Sequence, residues 1–202
     1  PENAPENAIV RVNLETGGHC TGFAIDRRTV ATAAHCLWLA RPRHWIQPTS
    51  LHVLVGYDRG EFRQHARVRA YRIAADFRPN AVAAKRGEGG DWALLELSAP
   101  IEGPVLPLVE APPAPLATLA LAGYPAARGH RMTARVACRV VKLGRGYFRH
   151  DCPAGPGQSG APLFALQAGA WRAFGLHVAS GGGQGLAVTG AAILAGRTRR
   201  PY

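Results

Sequence analysis

Short runs in which apolar and polar side chains alternate make up most of the chain, and Gly, Pro, Asn and Asp separate them. Runs of this kind predict β-strands with one buried face. The first group of predicted strands is 8–14, 22–26, 51–55, 67–73 and 92–97. The second group is 117–122, 132–143, 147–151, 162–166, 172–178 and 185–189. Helical periodicity is scarce and predicts only a short turn at 33–39 and a short C-terminal helix at 191–200.

A proline-rich stretch, 110–116, separates the two groups of strands. Proline cannot donate to a strand ladder, so we interpret this stretch as an extended connector. Regularly spaced short strands on both sides of it are typical of antiparallel barrels or sandwiches. We therefore expect an all-β protein with two β-rich halves, 9–109 and 117–202. The duplicated Pro-Glu-Asn-Ala of 1–8 has little folding potential and predicts a flexible N-terminal segment.

Composition is compatible with this picture and adds a strong basic charge. The chain has 202 residues, of which 47% are hydrophobic and 18% charged, which is enough to bury a core and excludes disorder for most of it. Its formal net charge is +11, almost all arginine, since Lys85 and Lys142 are the only lysines. Such a charge favours acidic partners, although an ordinary solvated basic surface explains it equally well.

The densest basic stretch, 59–78, indicates a strand rather than a nucleic-acid site. Its arginines and histidine alternate with apolar residues, as Arg63, His65, Arg67 and Arg69 do with Ala66 and Val68. This alternation predicts an arginine-rich outer face, and its alternating part, 63–69, lacks the interleaved aromatic side chains on which bases stack. We expect no specific nucleic-acid partner.

The four cysteines are Cys20, Cys36, Cys138 and Cys152. None forms a C-x-x-C pair, which disfavours a zinc knuckle or a thioredoxin-like motif. Their even number and local spacing suggest the disulfides Cys20–Cys36 and Cys138–Cys152, although the sequence alone permits other pairings. Disulfides form in oxidising compartments, so we expect a secreted or periplasmic protein whose signal peptide has been removed.

Two His-Cys pairs, at 19–20 and 35–36, raise the question of a zinc site. They lack the usual spacing between zinc ligands, and the disulfide accounts for both cysteines. We expect no metal. No apolar run approaches the roughly 20 residues that a membrane-spanning helix needs, so we also expect no membrane span.

Three short segments carry the candidate chemistry. They are Thr-Ala-Ala-His-Cys at 32–36, Gly-Asp-Trp-Ala-Leu-Leu at 90–95 and Gly-Pro-Gly-Gln-Ser-Gly-Ala-Pro at 155–162. A serine hydroxyl is a poor nucleophile until a base takes its proton, and that base needs a carboxylate to orient it. Alone, each segment has an ordinary explanation: a core histidine, a turn aspartate and a Gly/Ser turn. Asp76 and Asp151 are weaker candidates for the carboxylate, because neither begins a comparable apolar run.

On these three segments, in this order, the chain resembles the chymotrypsin-like (trypsin-fold) serine peptidases, particularly the bacterial branch that includes the glutamyl endopeptidases. The resemblance extends from Ile9 to the C-terminal helix. It implies two antiparallel six-stranded β-barrels with the active site between them. It also implies hydrolysis of a polypeptide substrate through an acyl-enzyme intermediate, by a monomer that needs no cofactor.

The resemblance assigns a role to each candidate residue. Ser159 is the expected nucleophile, His35 the general base and Asp91 the residue that orients His35. The N–H groups of Gly157 and Ser159 match the oxyanion hole, and glycines on both sides of Gln158-Ser159 permit the tight turn that this requires.

One departure from the animal digestive enzymes concerns activation. Gln158 stands where those enzymes carry an aspartate that pairs with a newly formed N-terminus. That ion pair is not available here, so we expect Ile9 and Val10 to lie in an ordinary strand. Local packing, with Pro156 restricting the loop, is expected to hold the oxyanion hole.

The specificity pocket is less well determined. Its expected base, 152–155, has no carboxylate to receive arginine or lysine. His177 and Ser180 match positions that contact the acidic substrate side chain in glutamyl endopeptidases, and the backbone of 178–180 is expected to pair with substrate as an added strand. A pocket for small or apolar side chains is an equally good interpretation. The expected substrate-binding residues are Pro153, Ala154, His177, Val178, Ala179 and Ser180.

Two other functions are compatible with this sequence. A catalytically inactive binding protein would keep the peptidase scaffold without turnover. A basic envelope or nucleic-acid-binding module would instead bind in a strongly salt-dependent manner.

Overall fold

Two closed antiparallel β-barrels of six strands each form the molecule, which confirms the predicted fold class. The computed structural model describes residues 5–79, 90–111, 113–128 and 130–197. The strands of the first barrel are β1 (Ile9–Leu14), β2 (His19–Asp26), β3 (Thr29–Thr32), β6 (Leu51–Val55), β7 (Gln64–Ile73) and β8 (Ala93–Leu97). A separate two-stranded ribbon consists of β4 (Trp38–Leu39) and β5 (His44–Trp45).

The second barrel follows the connector. Its strands are β9 (Thr118–Gly123), β10 (Thr133–Gly144), β11 (Tyr147–His150), β12 (Pro162–Gln167), β13 (Ala170–Gly181) and β14 (Gln184–Thr189). Helix α1 (Gly190–Arg197) ends the described chain. Short 3-10 turns lie at Pro5–Ala8, Ala34–Leu37, Pro48–Ser50 and Ala126–Arg128.

Each barrel closes by pairing strands that are distant in the sequence. The first has the order β1-β2-β3-β8-β7-β6 and closes where β1 pairs with β6. The second has the order β10-β11-β14-β13-β12-β9 and closes where β9 pairs with β10. Closure leaves neither barrel, as far as the chain is described, with an unpaired sheet edge, and the inward side chains of alternating strands fill the interior.

The burial of β7 shows how the sequence pattern produces this architecture. Its apolar Ala66 and Val68 are buried, and the intervening His65, Arg67 and Arg69 are exposed. The predicted arginine-rich outer face is therefore present. The arginines remain in solvent while the apolar residues between them contribute to the barrel core.

The pattern does not predict β3, because the four residues Thr29–Thr32 are too few to show an alternation. The predicted helical turn at 33–39 is limited to Ala34–Leu37, since Trp38 and Leu39 pair with β5. Within the segment 1–8, which is expected to be flexible, residues 5–8 form a 3-10 turn with Pro5 and Ala8 buried; residues 1–4 lie outside the described chain. The last three residues of the predicted helix, 198–200, lie outside it too.

Both predicted disulfides are present, Cys20–Cys36 and Cys138–Cys152. The first connects β2 to the 3-10 turn that follows β3, and the second connects β10 to the residues just beyond β11. No helix in the described parts of the chain is long and apolar enough to cross a membrane.

Candidate active site

His35 and Asp91 are brought together by the pairing of two strands in the first barrel. Strands β3 and β8 are antiparallel, with Thr32 opposite Ala93. Asp91 lies two residues before Ala93 and His35 three residues after Thr32, so both lie at the same end of this pair. The disulfide from Cys36 to Cys20 fastens the turn that carries His35.

Asp91 is completely buried and directs both carboxylate oxygens at His35. Oδ2 lies 2.7 Å from His35 Nδ1, and Oδ1 accepts the backbone N–H of His35 at 2.9 Å. A buried carboxylate is costly unless it is hydrogen-bonded, and here one residue supplies both donors. The arrangement fixes the imidazole with its proton on Nδ1 and leaves Nε2 as an acceptor.

Ser159 reaches the same imidazole from the second barrel. Its Oγ lies 3.0 Å from His35 Nε2, so Asp91, His35 and Ser159 form one hydrogen-bonded chain across the crevice. The side chain of His35 is 20% exposed, so a substrate can reach the serine end of this chain. The other two candidate carboxylates, Asp76 and Asp151, take no part in these hydrogen bonds. Asp76 is exposed, and Asp151 accepts the N–H of Arg139.

The loop that carries Ser159 turns at two glycines with left-handed backbone conformations, Gly157 at φ +87° and Gly160 at φ +86°. The carbonyl of Gln158 accepts the N–H of Ala161 at 2.9 Å. The carbonyl and N–H of a trans peptide point in opposite directions, so the Ser159 N–H points away from Ala161. The peptide before Gly157 is held in the same way by Ala126, whose N–H donates to the carbonyl of Pro156 at 2.7 Å.

Gln158 has the local role expected for a residue that forms no activation ion pair. It is buried, and its Oε1 accepts the N–H of Gly155 at 3.1 Å within the same loop. Ile9 and Val10 lie in β1, as predicted.

The expected pocket residues lie close together, but they differ in exposure. The hydroxyl of Ser180 donates to the carbonyl of Ala154 at 2.9 Å and lies 3.2 Å from Nε2 of His177. Pro153 and Ser180 are exposed, whereas His177 and Val178 are buried. Ala179 is half-buried and follows Val178, where the pairing of β13 with β14 is irregular.

A second histidine, His150, lies behind this pocket, and the sequence pattern did not single it out. Its Nε2 lies 3.1 Å from Nδ1 of His177, and its side chain is completely buried. Because Ser180 donates its proton to Ala154, His177 Nε2–H donates to Ser180 and His150 Nε2–H donates to His177. Burial lowers the pKa of His150 to about 4 and the pKa of His177 to about 3, so both are neutral near pH 7.

The residues considered for zinc have other partners. Cys20 and Cys36 are disulfide-bonded, and His19 Nε2 donates to the carbonyl of Tyr124 at 2.9 Å. In the described ranges there is no group of three or more His, Cys, Asp or Glu side chains that could hold a metal ion.

Two six-stranded barrels with a serine, a histidine and an aspartate joined across their crevice define a chymotrypsin-like serine endopeptidase. A family model described as the trypsin-like peptidase domain matches residues 20–176, which is most of the chain and includes His35, Asp91 and Ser159. The chain belongs to this family.

Among solved structures, the chain is similar to one entitled "Structure of Glu endopeptidase in complex with MPD", with a TM-score of 0.77 and 17% sequence identity. The similarity covers 96% of this chain and 89% of that one. At this level of identity it supports the shared fold. His177 and Ser180 lie beyond the segment matched by the family model. No curated protein sequence matches this chain.

Proposed function

We propose that the protein is a secreted serine endopeptidase in which Ser159 is the nucleophile, His35 the general base and Asp91 the orienting carboxylate. The observation that carries this proposal is the continuous hydrogen-bonded chain from the buried Asp91 through His35 to Ser159 Oγ. Polypeptide is the substrate, and the molecule acts as a monomer without a metal or cofactor.

In the proposed mechanism, Nε2 of His35 accepts the Ser159 proton as Oγ attacks the scissile carbonyl carbon. Asp91 stabilises the imidazolium that forms. Collapse of the tetrahedral intermediate breaks the C–N bond, and the imidazolium gives its proton to the leaving amine. Water then attacks the acyl-enzyme by the same steps in reverse, which returns the proton to Ser159.

The N–H groups of Gly157 and Ser159 are proposed to stabilise the oxyanion. The carbonyls of the two peptides concerned, those of Pro156 and Gln158, are each held by a backbone N–H on the opposite side. These bonds fix the N–H groups of Gly157 and Ser159 so that they point the opposite way. There they can donate to the negative oxygen that forms in the tetrahedral intermediate.

We propose that the pocket prefers glutamate or aspartate at P1, the substrate residue whose carbonyl is attacked. Its base offers no carboxylate to a basic side chain, and its wall carries two donors, Ser180 Oγ and His177 Nε2. A P1 carboxylate would replace the Ala154 carbonyl as the acceptor of the Ser180 proton. The neutral His150 behind His177 fixes the tautomer in which Nε2 carries the proton.

Secretion is proposed from the two disulfides, which are stable in the periplasm or outside the cell and rare in the cytosol. We further propose that nucleic acid is not a specific ligand, because only the small buried residues Ala66 and Val68 separate the exposed His65, Arg67 and Arg69 on β7, with no aromatic side chain between them.

The nucleophile is tested by labelling with a serine-directed phosphonate, followed by mass spectrometry. We expect one equivalent on Ser159 and none in Ser159→Ala. Ser98→Ala, at an exposed serine outside the site, should still be labelled. A folded wild-type protein that resists the reagent would instead support the inactive binding protein.

Specificity is tested with a peptide library in wild type and His177→Ala. We expect cleavage after glutamate or aspartate that is lost selectively in the variant. Cleavage after alanine, valine or leucine in both proteins would replace the acidic preference with a small or apolar one.

A further inference from the structure

Thr21, on β2 of the first barrel, is completely buried and uses its hydroxyl twice across the interface between the barrels. Oγ1 donates to the carbonyl of Gly157 at 2.9 Å and accepts the N–H of Tyr124 at 2.9 Å. One donor and one acceptor are therefore matched to one acceptor and one donor of the second barrel. Gly123 leaves room for this approach, because a Cβ there would lie 2.8 Å from Oγ1.

The backbone of the same strand continues the connection. The N–H of Thr21 donates to the carbonyl of Ser159 at 2.9 Å, and His19 donates to the carbonyl of Tyr124 at 2.9 Å. His19 and Thr21 are two residues apart on β2, so their side chains lie on one face of the strand. These two side chains hold both backbone polar groups of Tyr124, and Thr21 also holds the loop that carries Ser159, through its hydroxyl at Gly157 and its backbone N–H at Ser159.

The segment held in this way sets the direction of a peptide in the oxyanion loop. Ala126, two residues beyond Tyr124, donates its N–H to the carbonyl of Pro156 at 2.7 Å. The N–H of Gly157 belongs to the same peptide and points the opposite way. A Cβ on Gly157 would contact the Tyr124 carbonyl and lie 2.8 Å from both Ala126 N and His19 Nε2, so only glycine fits.

We propose that Thr21 is a positioning residue that holds the peptides on both sides of Gly157 in the orientation that binds the oxyanion. It acts from the first barrel on a loop of the second, at a site where Gln158 can form no ion pair with an N-terminus. The inference rests on the proposed function, because it concerns the oxyanion hole of that same reaction.

Replacement by valine keeps the shape of Thr21 and removes the hydroxyl. Two buried groups, the Gly157 carbonyl and the Tyr124 N–H, then lose their partner, which disfavours the native loop. Substrate binds between the barrels whether or not the loop is correctly turned, but only the correctly turned fraction reacts. We therefore expect kcat of Thr21→Val to fall about 10- to 100-fold, less than the loss of a whole oxyanion donor, with KM changed much less.

The experiment compares three variants by steady-state kinetics and thermal unfolding. Thr21→Ser keeps the hydroxyl and should recover most of the lost kcat, although it removes a buried methyl group. Thr189→Val is the matched control. Its buried hydroxyl accepts the Ala192 N–H at the start of α1, away from the oxyanion loop, so it should lower stability without lowering kcat.

Backbone amide hydrogen exchange of residues 155–160 provides a readout that is independent of turnover. We expect faster exchange in Thr21→Val than in wild type, Thr21→Ser or Thr189→Val. Unchanged kcat and unchanged exchange in Thr21→Val would overturn the inference, as would an equal loss of kcat in Thr189→Val. Failure of wild type to react with the phosphonate would count against the proposed function, and the exchange measurement would still decide the role of Thr21.

Discussion

At the scale of single residues, the site joins side chains from short local segments to side chains whose hydrogen-bond partners lie far along the chain. His35, Asp91 and Ser159 each stand in a recognisable segment, and the structure brings all three together. Thr21 bonds to residues 103 and 136 positions away, so no local pattern indicates its role. His150 is missed for the same reason, since only the pairing of β11 and β13 with β14 brings it against His177.

The orienting role proposed for Asp91 predicts a large effect of Asp91→Asn. An amide donates where the carboxylate accepts, so the imidazole takes the wrong tautomer and Nε2 no longer accepts the serine proton. We expect kcat to fall about 10⁴-fold while the barrel remains folded. The measurement is hydrolysis of a chromogenic peptide. Asp76→Asn, the same change at an exposed carboxylate, should leave kcat unchanged, and equal effects of the two would contradict the assignment.

The buried pair His150 and His177 predicts that acid destabilises the protein. In the unfolded chain both bind a proton near pH 6.5, but in the folded protein the pKa falls to about 4 and about 3. Between about pH 3 and pH 6.5 the unfolded state therefore binds more protons than the folded state. The free energy of unfolding decreases as pH falls through this range. Chemical denaturation at several pH values measures this slope. Replacing His150 by Phe should reduce it, whereas exposed His44→Gln should not; a slope unchanged in His150→Phe would exclude this origin.

At the scale of elements, the predictable strands are those with a long alternation, such as β7. Strand β3 is not predicted because it has four residues, yet its pairing with β8 is what brings His35 to Asp91. The position of the 3-10 turn at Ala34–Leu37 likewise depends on the disulfide and on the ribbon that follows it. Such tertiary constraints override local propensity, which explains why boundaries are less predictable than the strands themselves.

The two disulfides offer a matched comparison, because they separate their cysteines by similar distances along the chain, 16 and 14 residues. Removing either by paired Cys→Ala changes should cost about 3 kcal/mol of unfolding free energy in the chain-entropy model. Their functional effects should differ. Loss of Cys20–Cys36 frees the turn that carries His35 and should lower kcat, whereas loss of Cys138–Cys152 frees the chain before Pro153 and should mainly raise KM. Denaturant titration and steady-state kinetics separate the two, and identical kinetic effects would contradict this division.

The tight loop that contains Ser159 predicts a severe effect of Gly160→Ala. Its φ of +86° disfavours alanine by about 1–2 kcal/mol, and the new methyl group would also contact the Thr21 carbonyl and Thr32 Oγ1. Gly182→Ala controls for the first effect, because Gly182 has φ +60° and no heavy atom lies within 4 Å of an added Cβ. We expect a larger loss of unfolding free energy for Gly160→Ala, together with loss of activity. Equal losses would contradict this prediction, because the contacts with Thr21 and Thr32 would then add nothing to the cost of the backbone conformation.

At the scale of the whole molecule, the sequence predicts two β-rich halves with the site between them, because the proline-rich connector divides two series of strands. It does not predict how the halves are joined. The contacts at this junction come from residues such as His19, Thr21 and Tyr124, and none of these lies in the three segments that carry the candidate chemistry. The net charge, by contrast, is known from composition alone and belongs to the molecule as a whole.

That charge of +11 predicts salt-dependent capture of acidic substrates. The Debye length shrinks from about 30 Å at 0.01 M to about 3 Å at 1 M, so attraction from arginines outside the pocket operates only at low salt. For peptides that share one cleavable P1 residue, kcat/KM should fall with salt when the flanking residues are acidic and change little when they are neutral. A charge-reversal variant of two exposed arginines, Arg63 just before β7 and Arg67 within it, should flatten the dependence for the acidic peptide. Equal salt dependence for both peptides would show that salt acts at the pocket or on the fold, because only long-range attraction distinguishes substrates by residues that the pocket does not contact.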